Sequence, residues 1–431
     1  MRNNTPQLFV DGRPTNLTLE QLPADAIESI ELITNPSAKY DASGGTAGIL
    51  NIILKKNKRI GYNGSFRTNL DSRARVGGGL DLNLRQGKFN FFLNANYNQR
   101  KSISNGTTNR TTDIGNQITK LNQADENISI GRHAFLRTGV DLFIDNRNTL
   151  SITANLGQGR FRPTTESSIW IDSLMASGPP NSSQTNRYAQ NIGSFDNQGL
   201  VIGFKHLFPK AGEEWTADVT YNGMTSKNTN DIRTDVYPDP TQSVFKRSQQ
   251  QQLGNGINNS LILQTDYVRP ISEKEKWEMG LRAQFRQVDN RNDFYLIPTT
   301  GSPIYLSDLS VNYTSDDRVY AAYTTYTNML GKWGYQAGLR LESSDYIGNL
   351  PDKSQSFNVT FPVSLFPSLY LTRKAAKEQE VQLNYTRKIN RPNFWQLYPF
   401  TDYSDSLNIS RGNPDLRPEF TNSIEMSYQK T

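Results

Sequence analysis

The sequence predicts a mainly β chain that crosses a membrane as an antiparallel barrel. Three observations carry that expectation: strict alternation of apolar and polar side chains, short links that take turns with long polar ones, and aromatic residues repeated just after the short links. Composition agrees. Only 35% of the 431 residues are hydrophobic, yet aromatics reach 10%. A disordered chain has fewer rings, and a two-layered soluble core needs more aliphatic mass. A strand with one face to lipid and one to a wet bore is half polar by design.

Alternation is plainest after Arg59. Phe89, Phe91, Leu93, Ala95 and Tyr97 interleave with Asn90, Asn94, Asn96 and Asn98. Trp277, Met279, Leu281, Ala283 and Phe285 interleave with Glu278, Arg282, Gln284 and Arg286, and Trp333 to Leu341 repeats the pattern around Gln336 and Arg340. Arg137, Asp141, Arg282, Arg286, Arg340 and Glu342 are expected among the charges on the bore side. Sliding one strand by a single residue would aim its arginines at lipid, at about 2–4 kcal/mol each near the midplane.

Short links are expected at Gln86 to Lys88, Asp145 to Asn148, Pro209 to Glu214, Ser272 to Lys276, Gly331-Lys332 and Lys374 to Glu378. Longer polar loops are expected near Lys101 to Gly131, Phe161 to Gly193, Asn230 to Gly256, Asn290 to Asp316, Gly348 to Phe357 and Arg391 to Glu419. Phe89, Trp215, Trp277 and Trp333 follow short links, which predicts a ring belt at one interface. From Gly61 the strands number about fourteen, the last from Phe420 to Gln429.

The first 56 residues follow another regime and predict a small α+β unit. Leu8 to Val10 reads as a strand running into a turn at Asp11-Gly12. Pro23 to Glu28 opens like a helix, with proline and acids in its first turn. Ile30 to Ile33 and Ile49 to Leu54 read as strands.

Several function classes find no support. The chain lacks cysteine, which excludes disulfide scaffolds and thiolate chemistry. The net charge of +6 comes from scattered residues, with one cluster at Lys55, Lys56, Lys58 and Arg59 and no nucleic-acid motif, so no nucleic-acid partner is expected. His133 and His206 show no metal spacing, and no Gly-x-Ser-x-Gly elbow occurs; neither an enzyme nor a metal or other cofactor is expected. Gly44-Gly45-Thr46-Ala47-Gly48 lacks the lysine of a phosphate loop and reads as a tight turn through Gly44, Gly45 and Gly48. Gly412-Asn413-Pro414-Asp415 likewise reads as a turn, with Asn413 bonding locally and Pro414 fixing φ. Rings in the polar segments are the candidates for ligand contact: Trp170, Tyr188, Tyr237, Tyr295, Trp395, Tyr398 and Tyr403, each worth about 1 kcal/mol when stacked on a ligand.

Two stretches resemble a known family. Phe9-Val10-Asp11-Gly12, Ile27 to Ile33, Pro36 to Tyr40 and Gly44 to Ile53 resemble the second half of the plug domain of TonB-dependent outer-membrane receptors. Arg391-Pro392-Asn393-Phe394-Trp395-Gln396-Leu397-Tyr398-Pro399-Phe400 with Gly412 to Glu419 is similar to an outer-loop stretch of their barrels. The resemblance implies residues 1–56 as the C-terminal half of a plug, residues 57–431 as strands of an incomplete barrel of about 22 strands, and a place in the bacterial outer membrane. It also implies a TonB-type energy-coupling protein as partner, outer-membrane lipid around the wall, and a scarce small solute as ligand. Met1 to Gln7 carries no signal pattern and the chain ends Gln429-Lys430-Thr431 rather than on an aromatic, so the chain reads as an internal fragment. Alternatives are a barrel of the same ancestry serving as adhesin or scaffold, and a complete passive channel of about fourteen strands with an N-terminal hatch.

Overall fold

A computed structural model describes residues 7–10, 13–14, 27–33, 49–54, 61–115, 117–175, 181–238, 246–376, 379–392, 396, 401–402, 410–413 and 416–430. Its first element is a small sheet of β1 (Gln7–Val10), β2 (Arg13–Pro14), β3 (Ile27–Ile33) and β4 (Ile49–Leu54), in the order β2-β1-β4-β3, with β1 parallel to β4. Strand β4 falls where its apolar run predicts. The expected helix opening does not hold: Ile27 and Glu28 already belong to β3, while Pro23 to Ala26 lie outside the described residues. Pairing overrides the acidic first-turn signal, because Ile27, Ile30 and Leu32 find Leu54, Ile52 and Leu50 across the ladder. The turn at Asp11-Gly12 also lies outside the described residues, although Val10 pairs with Arg13 around it.

A much larger antiparallel sheet follows. Its strands are β5 (Gly61–Leu70), β6 (Val76–Gln86), β7 (Phe89–Ile114), β8 (Gln117–Phe143), β9 (Asn148–Met175), β10 (Asn181–Leu207), β11 (Glu214–Tyr237), β12 (Lys246–Ser272), β13 (Glu275–Leu296), β14 (Ile304–Tyr305), β15 (Val311–Leu330), β16 (Trp333–Leu350), β17 (Gln355–Ala376) and β18 (Gln379–Asn390). After a two-stranded piece, β19 (Thr401–Asp402) with β20 (Ser410–Arg411), the last strand β21 (Glu419–Lys430) pairs with β18. Apart from β14, which clips onto β13, the strands pair in sequence from β5 to β21 as a ladder of neighbours. The about fourteen strands expected from Gly61 onward are there. Among the described residues β5 and β21 do not pair, so the ladder is open.

The alternation resolves inside out relative to a soluble protein. Leu281 is 59% exposed and Arg282 only 5%; Leu339 and Leu341 are exposed while Arg340, Glu342 and Ser344 are buried. A face of bare leucine beside a face of covered charge is what hydrocarbon on one side and a polar bore on the other require. The ring belt also forms. Phe89, Trp215, Trp277 and Trp333 are all exposed within three residues of a short turn, and Trp215 and Trp277 donate from Nε1 to Thr265 and Thr324 at 2.8 and 2.6 Å. Amphipathic rings with a satisfied N–H suit a membrane interface.

The short turns are tight for local reasons. Gly87 and Gly331 hold φ of +57° and +59°, a region costly for a side chain. At the β8–β9 turn the Asp145 carboxylate accepts from the backbone N–H of Arg147 and Asn148 at 2.7 and 2.8 Å.

The long segments need a correction. Most of what reads as outer loop is ladder: β7, β8 and β9 run 26, 27 and 28 residues, against the roughly 9–11 that cross hydrocarbon. Pairing continues without a break from Phe89↔Leu142 to Ile114↔Gln117. At about 3.3 Å per residue the hairpins therefore project on the order of 50 Å beyond the membrane. The Gly348 to Phe357 segment likewise closes as a tight hairpin around a 3₁₀ turn, Pro351–Lys353.

The hairpin tips are held by charge as well as by backbone. On β11 Asp235 is buried and accepts from Arg247 Nε and Nη2 at 2.7 and 3.0 Å, with Arg233 at 3.5 Å. The Arg247 hydrogen bonds hold the Asp235 carboxyl below the usual carboxylate range. A carboxylate whose folded pKa is depressed adds stability above its unfolded value of about 4, and that stability is lost as pH falls through the folded value. Amide exchange across Ile232 to Val236, corrected for intrinsic rates, is expected to show constant protection from pH 8 to 5 and a loss below about pH 4. Asp235→Asn is expected to abolish the dependence; equal protection at pH 3 and 6 in the unaltered chain would refute this role.

Candidate ligand-facing site

The bore face of β12 to β18 concentrates charge because each strand places its polar residues there. Register sets Asp266, Gly280, Tyr323 and Arg340 side by side on β12, β13, β15 and β16. A side chain at Gly280 would meet the Tyr323 ring at 2.5 Å, so glycine there lets that ring lie across β13. Tyr323 then donates from Oη to Asp266 Oδ1 at 2.5 Å. One step further from the short turns, Gln264, Arg282, Ala321 and Glu342 form the next row. Arg282 donates to Gln284 at 2.8 Å and to Gln264 at 3.3 Å.

Glu342 is the hub. It is buried and accepts from Arg340 Nε at 2.9 Å and from Arg391, which also reaches Ser344 at 3.4 Å. Arg340 is buried as well, its guanidinium 5.7 Å from the Tyr323 ring centre, and its Nη1 and Nη2 have no hydrogen-bond partner among the described residues. Higher on the same face Arg286 donates from Nε to Asp317 at 2.7 Å, and Ser315 supports the same carboxylate at 3.0 Å. Arg137 and Asp141 share the bore face of β8: Arg137 stacks 5.1 Å from the Phe92 ring, and Asp141 accepts from Ser151 at 2.7 Å. All six charged residues assigned to the bore from sequence thus lie on one face.

The small sheet touches that face. Ile52 of β4 is fully buried in a cluster with Phe135 of β8, a bore-side neighbour of Arg137, and Leu8, Val10, Ile27 and Leu50 pack around them.

The residue pattern of the sheet's second half decides its family. Residues 206–431, just over half of the chain, match the model of the outer membrane protein beta-barrel family. The chain belongs to that family. As a member of the outer membrane protein beta-barrel family it sits in the bacterial outer membrane, with its apolar rows against lipid. No curated protein sequence matches it. Among solved structures it is similar to the unliganded ferric citrate transporter FecA, at 11% identity and a TM-score of 0.46 over 89% of this chain and 54% of that one. It is also similar to the ferric yersiniabactin uptake receptor FyuA of Yersinia pestis, at 10% and 0.31 over 98% and 80%. The open form of the ferric-catecholate import receptor Fiu of E. coli K12 follows at 9% and 0.30 over 98% and 82%. The chain spans only about half the length of the first of these, 54% of it.

In this family member the candidate aromatics are partly displaced from their expected setting. Trp170, Tyr188, Tyr237 and Tyr295 sit on strands β9, β10, β11 and β13 rather than in loops. They share the outward strand faces of Leu156, Leu200, Val219 and Leu281, because the registers run unbroken between those positions. Trp170 and Tyr237 flank Gln184, Tyr188 lies 5.8 Å beneath Arg233, and Tyr295 meets Tyr305 at 5.5 Å. Trp395, Tyr398 and Tyr403 lie outside the described residues, as do Gly44, Gly45, Gly48 and Pro414. At Asn413, Leu416 N–H donates to its carbonyl at 3.3 Å, and Asn413 N–H donates to the Gln396 carbonyl at 2.7 Å. The two parts of the C-terminal signature, around Gln396 and Gly412-Asn413, are therefore bonded to each other.

His206 bonds Asn148 at 2.7 Å and packs on Phe208 at 4.5 Å, beside a short turn. No metal-holding group of side chains occurs among the described residues. Sequence reasoning missed the Asp266–Gly280–Tyr323 crossing, which the cross-strand register reveals, and the role of Arg391, which its bonds to Glu342 and Ser344 reveal.

Proposed function

We infer that the chain is part of a TonB-dependent uptake receptor, with residues 1–56 the closing half of its plug and residues 57–431 strands of its barrel wall. The observation that carries this reading is the seat of the small sheet: Ile52 is sealed against Phe135 on the polar face, where a plug must sit to close a bore. The plug-like residues from Phe9 to Ile53 and the signature from Arg391 to Glu419 support it. On this reading a TonB-type partner in the inner membrane pulls the plug, and a scarce siderophore, glycan or peptide passes inward. The ionic hub at Glu342, bonded to Arg391 at the start of the signature segment, faces the route.

Solute contact falls to Trp395, Tyr398 and Tyr403, which follow Arg391, with Trp170, Tyr188, Tyr237 and Tyr295 on the projecting hairpins as a second group. Replacing Trp395 by alanine is expected to weaken solute binding about fivefold, the worth of one stacked ring at about 1 kcal/mol. The decisive experiment is nutrient-limited growth of a strain lacking the full-length gene, on each class of solute in turn. Unimpaired uptake of every siderophore, glycan and peptide supplied would sink the uptake reading and favour an adhesin or scaffold.

A further inference from the structure

On the outward face the apolar rows end in cations that face one another. Arg132 of β8 lies directly opposite Arg160 of β9, Arg160 opposite Ser194 of β10, and Ser194 opposite Lys227 of β11. These residues share the strand faces of Leu136, Leu156, Leu200 and Val219, so they point away from the bore. Two guanidinium groups directly across a strand pair repel, which destabilises a ladder unless an anion lies between them. None of Arg132, Arg160 and Lys227 has an ion-pair partner among the described residues.

A cleft of about 710 Å³ opens along this row. Arg75 from the β5–β6 turn and Arg162 from the next outward row also line it, and no aspartate or glutamate does. Arg162 donates to Gln190 at 2.9 Å. Asp196, one outward row nearer the membrane, is held by Gln158 at 2.8 Å. Gln99, Ser194 and Asn255 sit among the cations as neutral hydrogen-bonding groups. The volume fits a sugar-sized headgroup.

Height identifies the occupant. Counted from the short turns at Phe143/Asn148 and Leu207/Glu214, the three cations come just past the roughly 11 residues a tilted strand needs to cross hydrocarbon. They therefore stand at the headgroup level of the outer leaflet, on the lipid side, above the outward Leu136 and Leu156. Clusters of arginine and lysine at a membrane surface take up anionic lipid headgroups, and guanidinium groups match phosphate oxygens in pairs.

We propose that Arg132, Arg160 and Lys227 form a docking site for a phosphorylated glycolipid of the outer leaflet: its phosphates lie between the opposed cations, its sugar hydroxyls meet Gln99, Ser194 and Asn255, and its acyl chains run down over Leu136 and Leu156. The site rests on the strand register and on family membership, not on the uptake reading.

The test uses the full chain, folded in detergent, with diphosphoryl lipid A as probe and native mass spectrometry or fluorescence titration as readout. Arg132→Gln, Arg160→Gln and Lys227→Gln combined are expected to lower affinity at least tenfold, and to leave binding of the dephosphorylated lipid unchanged. A control of equal charge change at the short turns, Lys210→Gln, Lys274→Gln and Lys332→Gln, is expected to bind as the parent does. Heat-modifiable gel migration checks folding, and Arg160→Gln alone serves if the triple variant fails to fold. Unchanged affinity in the folded cation variants would overturn the site. Equal or tighter binding of phosphatidylglycerol vesicles, or displacement of the probe by millimolar inorganic phosphate, would overturn the glycolipid as its occupant.

Discussion

Leu281→Arg is expected to destabilise the membrane-embedded chain by about 2–4 kcal/mol, while Gln284→Arg, three residues along the same strand, is expected to cost under about 1 kcal/mol. Leu281 lies about midway along the membrane-crossing part of β13 and is 59% exposed on the outward face. Its Cβ points into hydrocarbon, where a guanidinium keeps neither water nor a counter-ion. Gln284 belongs to the opposite row, already shared with Arg282, to which it is bonded at 2.8 Å. Urea unfolding from lipid vesicles, followed by the emission of Trp277 and Trp333, measures both. Equal costs on the two faces would mean that both are wet, and the membrane reading of the rows would fail with them.

How much of this was legible depended on which force sets each feature. Within the membrane, lipid demands an apolar residue at every second position, so the pattern from Phe89 to Tyr97 already names the outward face of β7, and Ile49 to Leu54 names β4 outright. Beyond the membrane that demand ends. The hairpins from Lys101 to Gly131 and from Phe161 to Gly193 are rich in Asn, Ser, Thr and Gly and read as loop, yet the backbone of their described residues stays in the ladder because the strands beside them are equally long. Trp170, Tyr188, Tyr237 and Tyr295 moved from loop to strand for the same reason. The bore residues were visible singly but not as pairs. Tyr323 and Asp266 are 57 positions apart, and only the register across Gly280 brings them together. The cation row shows the same limit, since Arg132 and Arg160 are ordinary surface residues until pairing sets them face to face.

The bore network should answer unevenly to removal of its members. Glu342→Leu is expected to cost about 3–5 kcal/mol, because it leaves two guanidinium groups, those of Arg340 and Arg391, buried or nearly so without a carboxylate. Arg340→Met is expected to cost less: Glu342 keeps Arg391, and the change removes two buried N–H groups that have no partner among the described residues. Joining Arg340→Met and Arg391→Leu to Glu342→Leu is expected to recover most of the loss, since well-packed apolar groups of similar volume replace a buried ion network at little net cost. The three residues share one carboxylate, so their effects must be strongly non-additive. Urea midpoints of the three variants decide the matter: a triple variant as unstable as Glu342→Leu alone would mean that the charges themselves hold β16 to the segment after β18, and that the bore wall there is built on ionic contact rather than on packing.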